Sequence, residues 1–322
     1  MDLPDFDLAG AVEKASARIR DDIVRTPLTA SPHFRRITGA EVFVKWENLQ
    51  TTGSFKARGA LAKVRSLSEA EREGGLISAS TGNHGLGITH ASRLEGLDLI
   101  LYLPRSAAPE KIHKLRQAGA DIRFRGASCE RAEMTARRDA GVLGRTYVSP
   151  YNDPEVIAGQ GTIGLEILED LPDLTDLLVP VGGGGLIAGI AGFVKSRAPR
   201  VRVIGVEPAA SAFMKASLAA GRLVAIREGR TLADAVAGGI EPGSMTFPLI
   251  RRFVDGILSV GERFLIQAVR LLHELHGEVV EPAGALPLAA LLKFAPRFAG
   301  RKVVLVASGG NIAPSLLAKF LT

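Results

Sequence analysis

The chain has 322 residues, 46% of them hydrophobic, 23% charged and only 5% aromatic, which fits a globular protein with an aliphatic core and excludes a disordered chain. Its net charge of +6 is interspersed with acidic residues and densest only at Arg35–Arg36 and Arg251–Arg252, so it predicts a solvated surface and no nucleic-acid partner. Cys129 is the single cysteine, which excludes an internal disulfide or a thiolate metal cluster.

The segment MDLPDFDLAG lacks the basic and apolar regions of a signal peptide, and no uncharged apolar run approaches a membrane span. Both features predict a cytoplasmic protein without membrane contact. Val42–Trp46 reads as a strand. Gly53 and Ser54 read as a turn and N-cap, opening a helix over Lys56–Ser66. The next strand, Leu76–Ala79, runs into Ser80-Thr-Gly-Asn83-His84-Gly85 and a helix over Asn83–Glu95. Leu97–Leu103 and Pro109–Ala118 repeat the pattern. After a short strand-like run, Arg145–Val148, the segment Pro150–Pro154 marks a lobe boundary, and a helix begins near Glu155.

Leu177–Val181 enters four consecutive glycines, Gly182 to Gly185, with a helix over Leu186–Ser196 behind them. Val201–Glu207 follows as a strand. Residues 221 to 247 are the least regular stretch, which places them near a site. Lys302–Ala307 is the last strand and Ile312–Phe320 the last helix. Strands alternating with helices predict an α/β fold of mainly parallel sheets with helical crossovers.

Four glycines between strand and helix exceed what packing needs, and their backbone amides can converge on a phosphate at the helix N-terminus. Gly183-x-Gly185-x-x-Ala188, with Glu207 ending the next strand, also meets the dinucleotide fingerprint. A nicotinamide-dependent oxidoreductase is therefore a rival on this segment. No Gly-Lys-Ser/Thr closes the loop as a Walker A motif. Lys56 falls in a first helical turn, where the dipole disfavours its ammonium and favours the neutral amine that Schiff-base chemistry needs.

Other polar residues carry plainer readings. His273 and His276, with Glu278 beyond, complement the C-terminus of a helix ending at Gly277 and are not read as metal ligands. Cys129 reads as a buried small hydrophobe. Arg131 either faces a substrate carboxylate or is a solvated helix arginine.

Trp46-Glu-Asn-Leu-Gln-Thr-Thr-Gly-Ser54-Phe55-Lys56-Ala-Arg-Gly, the loop at 80 to 85, Val156-Ile-Ala-Gly-Gln160-Gly-Thr-Ile-Gly-Leu-Glu, the tetraglycine and Ala307-Ser308-Gly-Gly-Asn311 occur in this order. Together they resemble the threonine dehydratase and serine racemase family, the fold type II pyridoxal-phosphate enzymes, in the short form without a regulatory domain. The resemblance runs from about Pro27 to Pro314.

The resemblance implies a tryptophan synthase β-like α/β fold of two lobes, each with a mainly parallel sheet flanked by helices. Residues 1–50 and 150–322 would form the large cofactor-binding lobe, and 51–149 a smaller mobile lobe carrying the substrate loop 80–85. It implies pyridoxal 5'-phosphate as cofactor, a homodimer, and β-elimination from a β-hydroxy amino acid such as L-threonine or L-serine, giving a 2-oxo acid and ammonia. Lys56 would carry the cofactor and move the α-proton. Phe55 would pack on the pyridine ring, and Asn83 would meet the phenolic oxygen. The amides of Gly182, Gly183, Gly184, Gly185 and Leu186 would bind the phosphate, and Ser308, next to Gly309, would face the ring nitrogen. Glu281, in Glu281-Pro-Ala-Gly284, would lie near the cofactor. Ser80, Thr81, Gly82, Asn83 and His84 would hold the substrate carboxylate.

The chain departs from the family pattern in three places. Thr81 stands where the racemases place a second acid-base serine: as a catalytic candidate its hydroxyl could still shuttle a proton, but its methyl crowds the approach, so racemisation is weakened and serine racemase stays as an alternative. No second carboxylate follows Glu207, so no metal site is expected, hard cations needing several oxygen ligands. Ala233-Asp234-Ala-Val-Ala-Gly238-Gly239 differs from the threonine enzymes' substrate segment and is similar to that of dehydratases of hydroxyectoine utilisation. A non-catalytic sensor on the same scaffold is a further alternative, against which the intact Lys56 argues.

Overall fold

In the computed structural model, which describes residues 7–321, strands and helices alternate along nearly the whole chain. The order is α1 (Leu8–Ile19), β1 (Leu28–Ala30), α2 (Pro32–Thr38), β2 (Glu41–Trp46), α3 (Lys56–Arg65), α4 (Glu69–Gly74), β3 (Leu76–Ala79), α5 (Asn83–Leu94), β4 (Leu99–Leu103), α6 (Pro109–Gln117), β5 (Asp121–Phe124) and α7 (Cys129–Leu143). It continues with β6 (Thr146–Tyr147), α8 (Pro154–Asp170), β7 (Asp176–Pro180), α9 (Gly185–Arg197), β8 (Arg202–Pro208), α10 (Phe213–Ala220), α11 (Thr246–Phe253), β9 (Gly256–Val260), α12 (Glu262–His276), α13 (Pro282–Lys293), β10 (Lys302–Ala307) and α14 (Pro314–Leu321). Each strand and helix expected from the sequence lies within a few residues of its observed position. Residues 222 to 245 carry only one short 3-10 turn, Asp234–Val236.

The strands form two sheets. A six-stranded sheet has the order β1-β2-β10-β7-β8-β9, parallel except for the edge pair β1–β2, and a four-stranded sheet, β5-β4-β3-β6, is parallel throughout. Strand alternation sorts the core into layers. Leu177, Val179, Val304 and Val306 of the larger sheet face the same core as Leu99, Leu101 and Leu103 of the smaller one. Leu178, Val303 and Leu305 face an outer core with α12 and α13, while Ile100 and Tyr102 face α7.

Helix α8 runs through the shared core, opened by Pro154 at its start and by the Asp153 carboxylate, which accepts from the N–H groups of Glu155 and Val156. Its glycines explain the repetitive Val156–Glu166 motif. A Cβ on Gly159 would fall 2.7 Å from Gly59 Cα, and one on Gly161 would fall 2.4 Å from Val12. Only bare backbone lets α1, α3 and α9 approach this closely.

Each sheet has a switch point where successive connections leave in opposite directions: between β7 and β10 in the larger, and between β3 and β6 in the smaller. Ligands of open α/β sheets bind at such crevices, beyond the strand carboxyl ends. The segments following β2, β3, β6, β7 and β10 are the very ones that carry the motifs.

Candidate active site

Lys56 opens α3, as expected, but by a different route. Phe55 is the N-cap, without a side-chain hydrogen bond, and Ser54 Oγ is buried with no partner. The Ser54 backbone is paired with Gly309 in an antiparallel bridge, and Phe55 N–H donates to Ser308 O at 3.0 Å. Tertiary pairing has thus replaced the local cap. Gly87 lets α5 cross α3 here, since a Cβ on it would lie 3.0 Å from the Lys56 carbonyl.

The Lys56 ammonium donates to Pro150 O at 2.6 Å, with its Nζ 5.0 Å from the centre of the half-buried Phe55 ring. Desolvation pushes its pKa down to about 8, against the opposing pull of Glu133 and Glu281. Burial, rather than the helix dipole expected from the sequence, is the leading cause.

The tetraglycine connects β7 to α9. Gly184, at φ +91°, is the left-handed N-cap of α9, a conformation suited to glycine. Gly182, Gly183 and Gly184 donate no amide hydrogen bond among the described residues, and Gly185 and Leu186 are the first residues of α9, whose N–H groups have no preceding turn to donate to. Thr246 Oγ1 donates to Gly183 O at 2.7 Å, which turns the adjoining Gly184 N–H the opposite way across a trans peptide. Tyr151 walls the loop: a Cβ on Gly183 would lie 2.5 Å from its ring. A crowded loop with unpaired amides at a helix start suits a bound anion.

Asn83 begins α5, and its Nδ2 donates to Glu281 Oε1 at 2.6 Å. Glu281 is buried, and desolvation raises its pKa to about 7. Its own N–H donates to Gly309 O at 2.9 Å, binding α13 to the segment after β10. Ser308 is buried, and its carbonyl accepts from Phe55 N–H. Ser80 Oγ accepts from Gly82 N–H at 3.2 Å and shapes the loop. Thr81 is half-buried beside it, and a Cβ on Gly82 would meet nothing within 4 Å.

The His84 side chain is bonded to the strand ends. Its imidazole is buried, with Nε2 3.0 Å from Ser78 Oγ and 3.3 Å from Val148 O, and desolvation lowers its pKa to about 3. The neutral ring is committed to the strand ends. Only its backbone N–H is left for a carboxylate.

Glu207 accepts from Met214 N–H (2.8 Å) and Lys215 N–H (2.9 Å), and desolvation raises its pKa to about 7. Both oxygens serve the start of α10, so the ribose partner required by the dinucleotide reading is missing. Among the described residues no group of three or more His, Cys, Asp or Glu is placed to hold a metal. Arg131 and Cys129 lie exposed in the first turn of α7, so Cys129 is not the buried hydrophobe expected. His276 bonds Ser31 Oγ at 2.8 Å and packs on Phe34 and Trp46, while His273 Nδ1 is buried without a partner.

Several residues of the site had no role assigned from sequence. Pro150 and Tyr151 stood only as a boundary, and Asn311 only as a motif letter. Glu133 and Arg137 on α7, with Tyr147, form a half-buried cluster with Glu241 of the irregular stretch: Arg137 pairs with both carboxylates and lies 4.6 Å over the Tyr147 ring. Glu133, one turn from Arg137, looks like any solvated helix face, and Glu241 is more than a hundred residues away, so no local pattern flags the cluster.

The model of the pyridoxal-phosphate dependent enzyme family matches residues 19–309. An L-threonine ammonia-lyase of Thermotoga maritima is 42% identical over 310 residues, covering 96% of this chain and 77% of the relative. The catabolic L-threonine dehydratase TdcB of Escherichia coli K12 is 39% identical over 95% of this chain and 94% of its own. The structure of maize serine racemase superposes with a TM-score of 0.91 at 31% identity, covering 97% of this chain and 95% of that one.

Proposed function

The chain belongs to the pyridoxal-phosphate dependent enzyme family, and from that membership we propose that it is an ammonia-lyase eliminating water from a β-hydroxy amino acid such as L-threonine or L-serine. The products are a 2-oxo acid and ammonia: water leaves in the elimination and is taken up again when the released enamine hydrolyses. One observation carries the reading: a desolvated lysine amine, with a pKa of about 8, opens α3 next to the residue whose backbone pairs with buried Ser308, on a scaffold whose tetraglycine leaves its amides unpaired.

These residues fit the cofactor. Lys56 would hold its aldehyde carbon, the amides of Gly182 to Leu186 its phosphate, Phe55 and Asn83 its ring, and Ser308 its ring nitrogen, with Glu281 and Gly309 behind Asn83. When bound, pyridoxal phosphate supplies the electron sink that makes the substrate α-proton acidic. Lys56 Nζ, whose neutral form desolvation favours, would take that proton as general base. Ser308 sets a neutral hydroxyl where a carboxylate would favour a long-lived carbanion, so proton loss is tied to departure of the β-hydroxyl. The loop of residues 80 to 84 would hold the substrate carboxylate at the start of α5, through the N–H groups of Asn83 and His84 and the hydroxyl of Thr81, with Gly82 N–H bonded to Ser80 Oγ to shape it. Thr81 Oγ1 sits in the same loop, its methyl crowding the approach a second acid-base group would need.

We read residues 1–50 and 150–322 as the larger lobe and 51–149 as a smaller, mobile one, in a cytoplasmic homodimer. Among the described residues no helix is long and apolar enough to cross a membrane. The test is a visible absorption band of the purified protein with pyridoxal phosphate, abolished by borohydride, together with 2-oxo acid release from threonine and serine. Absence of the band, or its persistence in Lys56→Ala, would overturn the reading.

A further inference from the structure

Helix α6 carries none of the expected site residues, yet Lys114 on it reaches the site. Its Nζ donates to Asn311 Oδ1 at 2.5 Å. Asn311 Nδ2 donates to Thr52 O (2.9 Å) and to Asn83 Oδ1 (2.6 Å), and Asn83 Nδ2 donates to Glu281 Oε1 (2.6 Å). Lys111, nearly one turn earlier, pairs with Asp234 at 2.7 Å. The helix is therefore moored at two points on segments that flank the larger sheet.

Donor and acceptor chemistry fixes the direction of this relay. An ammonium can only donate, so Asn311 must face it with the carbonyl oxygen, and the Thr52 carbonyl demands the Asn311 amide nitrogen. Asn83 must then accept with Oδ1 and donate with Nδ2. One Nδ2 hydrogen goes to Glu281, and the other is left over.

We propose that Lys114 is a positioning residue: it orients Asn311, and through it Asn83, so that Asn83 offers one N–H to Glu281 and the other to the phenolic oxygen of pyridoxal phosphate. The proposal rests on the cofactor reading above. A cation heads the relay and a carboxyl group ends it, so the two ends stabilise each other's charge through polarised amides. Glu281 faces Lys56 from α3, Asn83 from α5, Lys111 and Lys114 from α6, and Asp234 from the turn before residue 237. Desolvation raises its pKa, Asp234 adds to the rise, and the two α6 lysines oppose it. Loss of Lys114 leaves Lys111 alone on that side, so Glu281 protonates at higher pH.

Lys114→Met and Lys114→Arg test this, since the residue is exposed and neither change opens a core. Apoenzyme titrated with pyridoxal phosphate should bind about fivefold more weakly in the Met variant, the worth of one ordered hydrogen bond. The acid limb of kcat/KM for threonine should move to higher pH. Arginine, which also donates to Asn311, should restore both, and the Tm of all three apoproteins should agree. The relay is wrong if the Met variant keeps wild-type affinity and pH profile, or if arginine behaves as methionine does. A wild type lacking a borohydride-sensitive band would instead sink the cofactor reading, and the relay with it.

Discussion

The proposed role of Lys56 asks for a neutral amine where a lysine is ordinarily charged, and that requirement has a thermodynamic signature. Its pKa in the folded protein is about 8, below the ordinary 10.5, because the amine is desolvated. Between those values the unfolded chain binds more protons, so stability of the cofactor-free protein rises with pH across that window, and the penalty is complete below about pH 8. Lys56→Met keeps the stem and removes the charge. Its apoprotein should therefore melt above wild type at pH 7, with the advantage shrinking as pH climbs from about 8 toward 10.5. Thermal melts at a series of pH values decide it; a methionine variant less stable at pH 7 would mean a well-solvated amine. The same change should lower threonine turnover by roughly a thousandfold or more.

The place of Lys56 at the start of α3 was legible in the sequence, whereas the role proposed for it rests on the ordered set of motifs around it and not on any local property. His84 was half legible. The motif locates its backbone at the start of α5, but only the packing of β3 against β6 reveals that its ring turns inward to Ser78 and Val148. Ser54 misled for the same reason, a cap signature being overruled by pairing with Gly309, distant in sequence.

At the scale of the element, α3 is fixed by charges rather than by its cap. Arg58, fully buried, donates from Nε and Nη2 to both oxygens of Glu47 (2.8 Å each) and from Nη1 to Glu166 at 2.6 Å. Lys45 completes a quartet, donating to Glu166 at 2.5 Å and to Thr26 O at 2.6 Å. These bonds join β2, α3 and α8, and so hold the first turn of α3 two residues from Arg58. Arg58→Met would leave two buried carboxylates with one cation, a loss of about 3–5 kcal/mol for breaking a buried pair. Urea denaturation should register it. Although burial alone would raise the pKa of Glu166, Arg58 and Lys45 hold it below the usual value, so its stabilising contribution is lost as pH falls through that lowered value. Wild type and Arg58→Met should therefore differ most at neutral pH and converge in acid; a constant gap would argue against the ion pairs as the cause.

Glycines show a comparable contrast between elements. Gly184→Ala meets both the left-handed backbone and Ile250 Cδ1, 2.6 Å from its Cβ, whereas Gly82→Ala meets no atom within 4 Å. The first should cost about 1–2 kcal/mol from backbone strain alone, plus what Ile250 must give. The second should leave folding intact. Equal melting temperatures for the two variants would contradict this.

For the whole molecule, the sequence revealed alternation and therefore parallel sheets, but not which strands are neighbours. Strand order is set by where crossovers land, and β10 pairs with β2 although more than 250 residues separate them. That pairing brings the Ser308 segment beside Lys56. The two sheets share one continuous apolar core, and the segments around them are joined by bonds such as Asn83–Glu281 and Arg137–Glu241, so a ligand bound at their junction should tighten both at once. At a concentration of about a hundred times Kd, pyridoxal phosphate would stabilise the fold by about 2.7 kcal/mol. Hydrogen exchange should then slow in β3 and β4 as well as in β7 and β8, where a ligand held by the tetraglycine alone would protect only the larger sheet. Protection confined to β7 and β8 would place Asn83 and the loop before it outside the cofactor site, and would return the smaller sheet to a purely structural role.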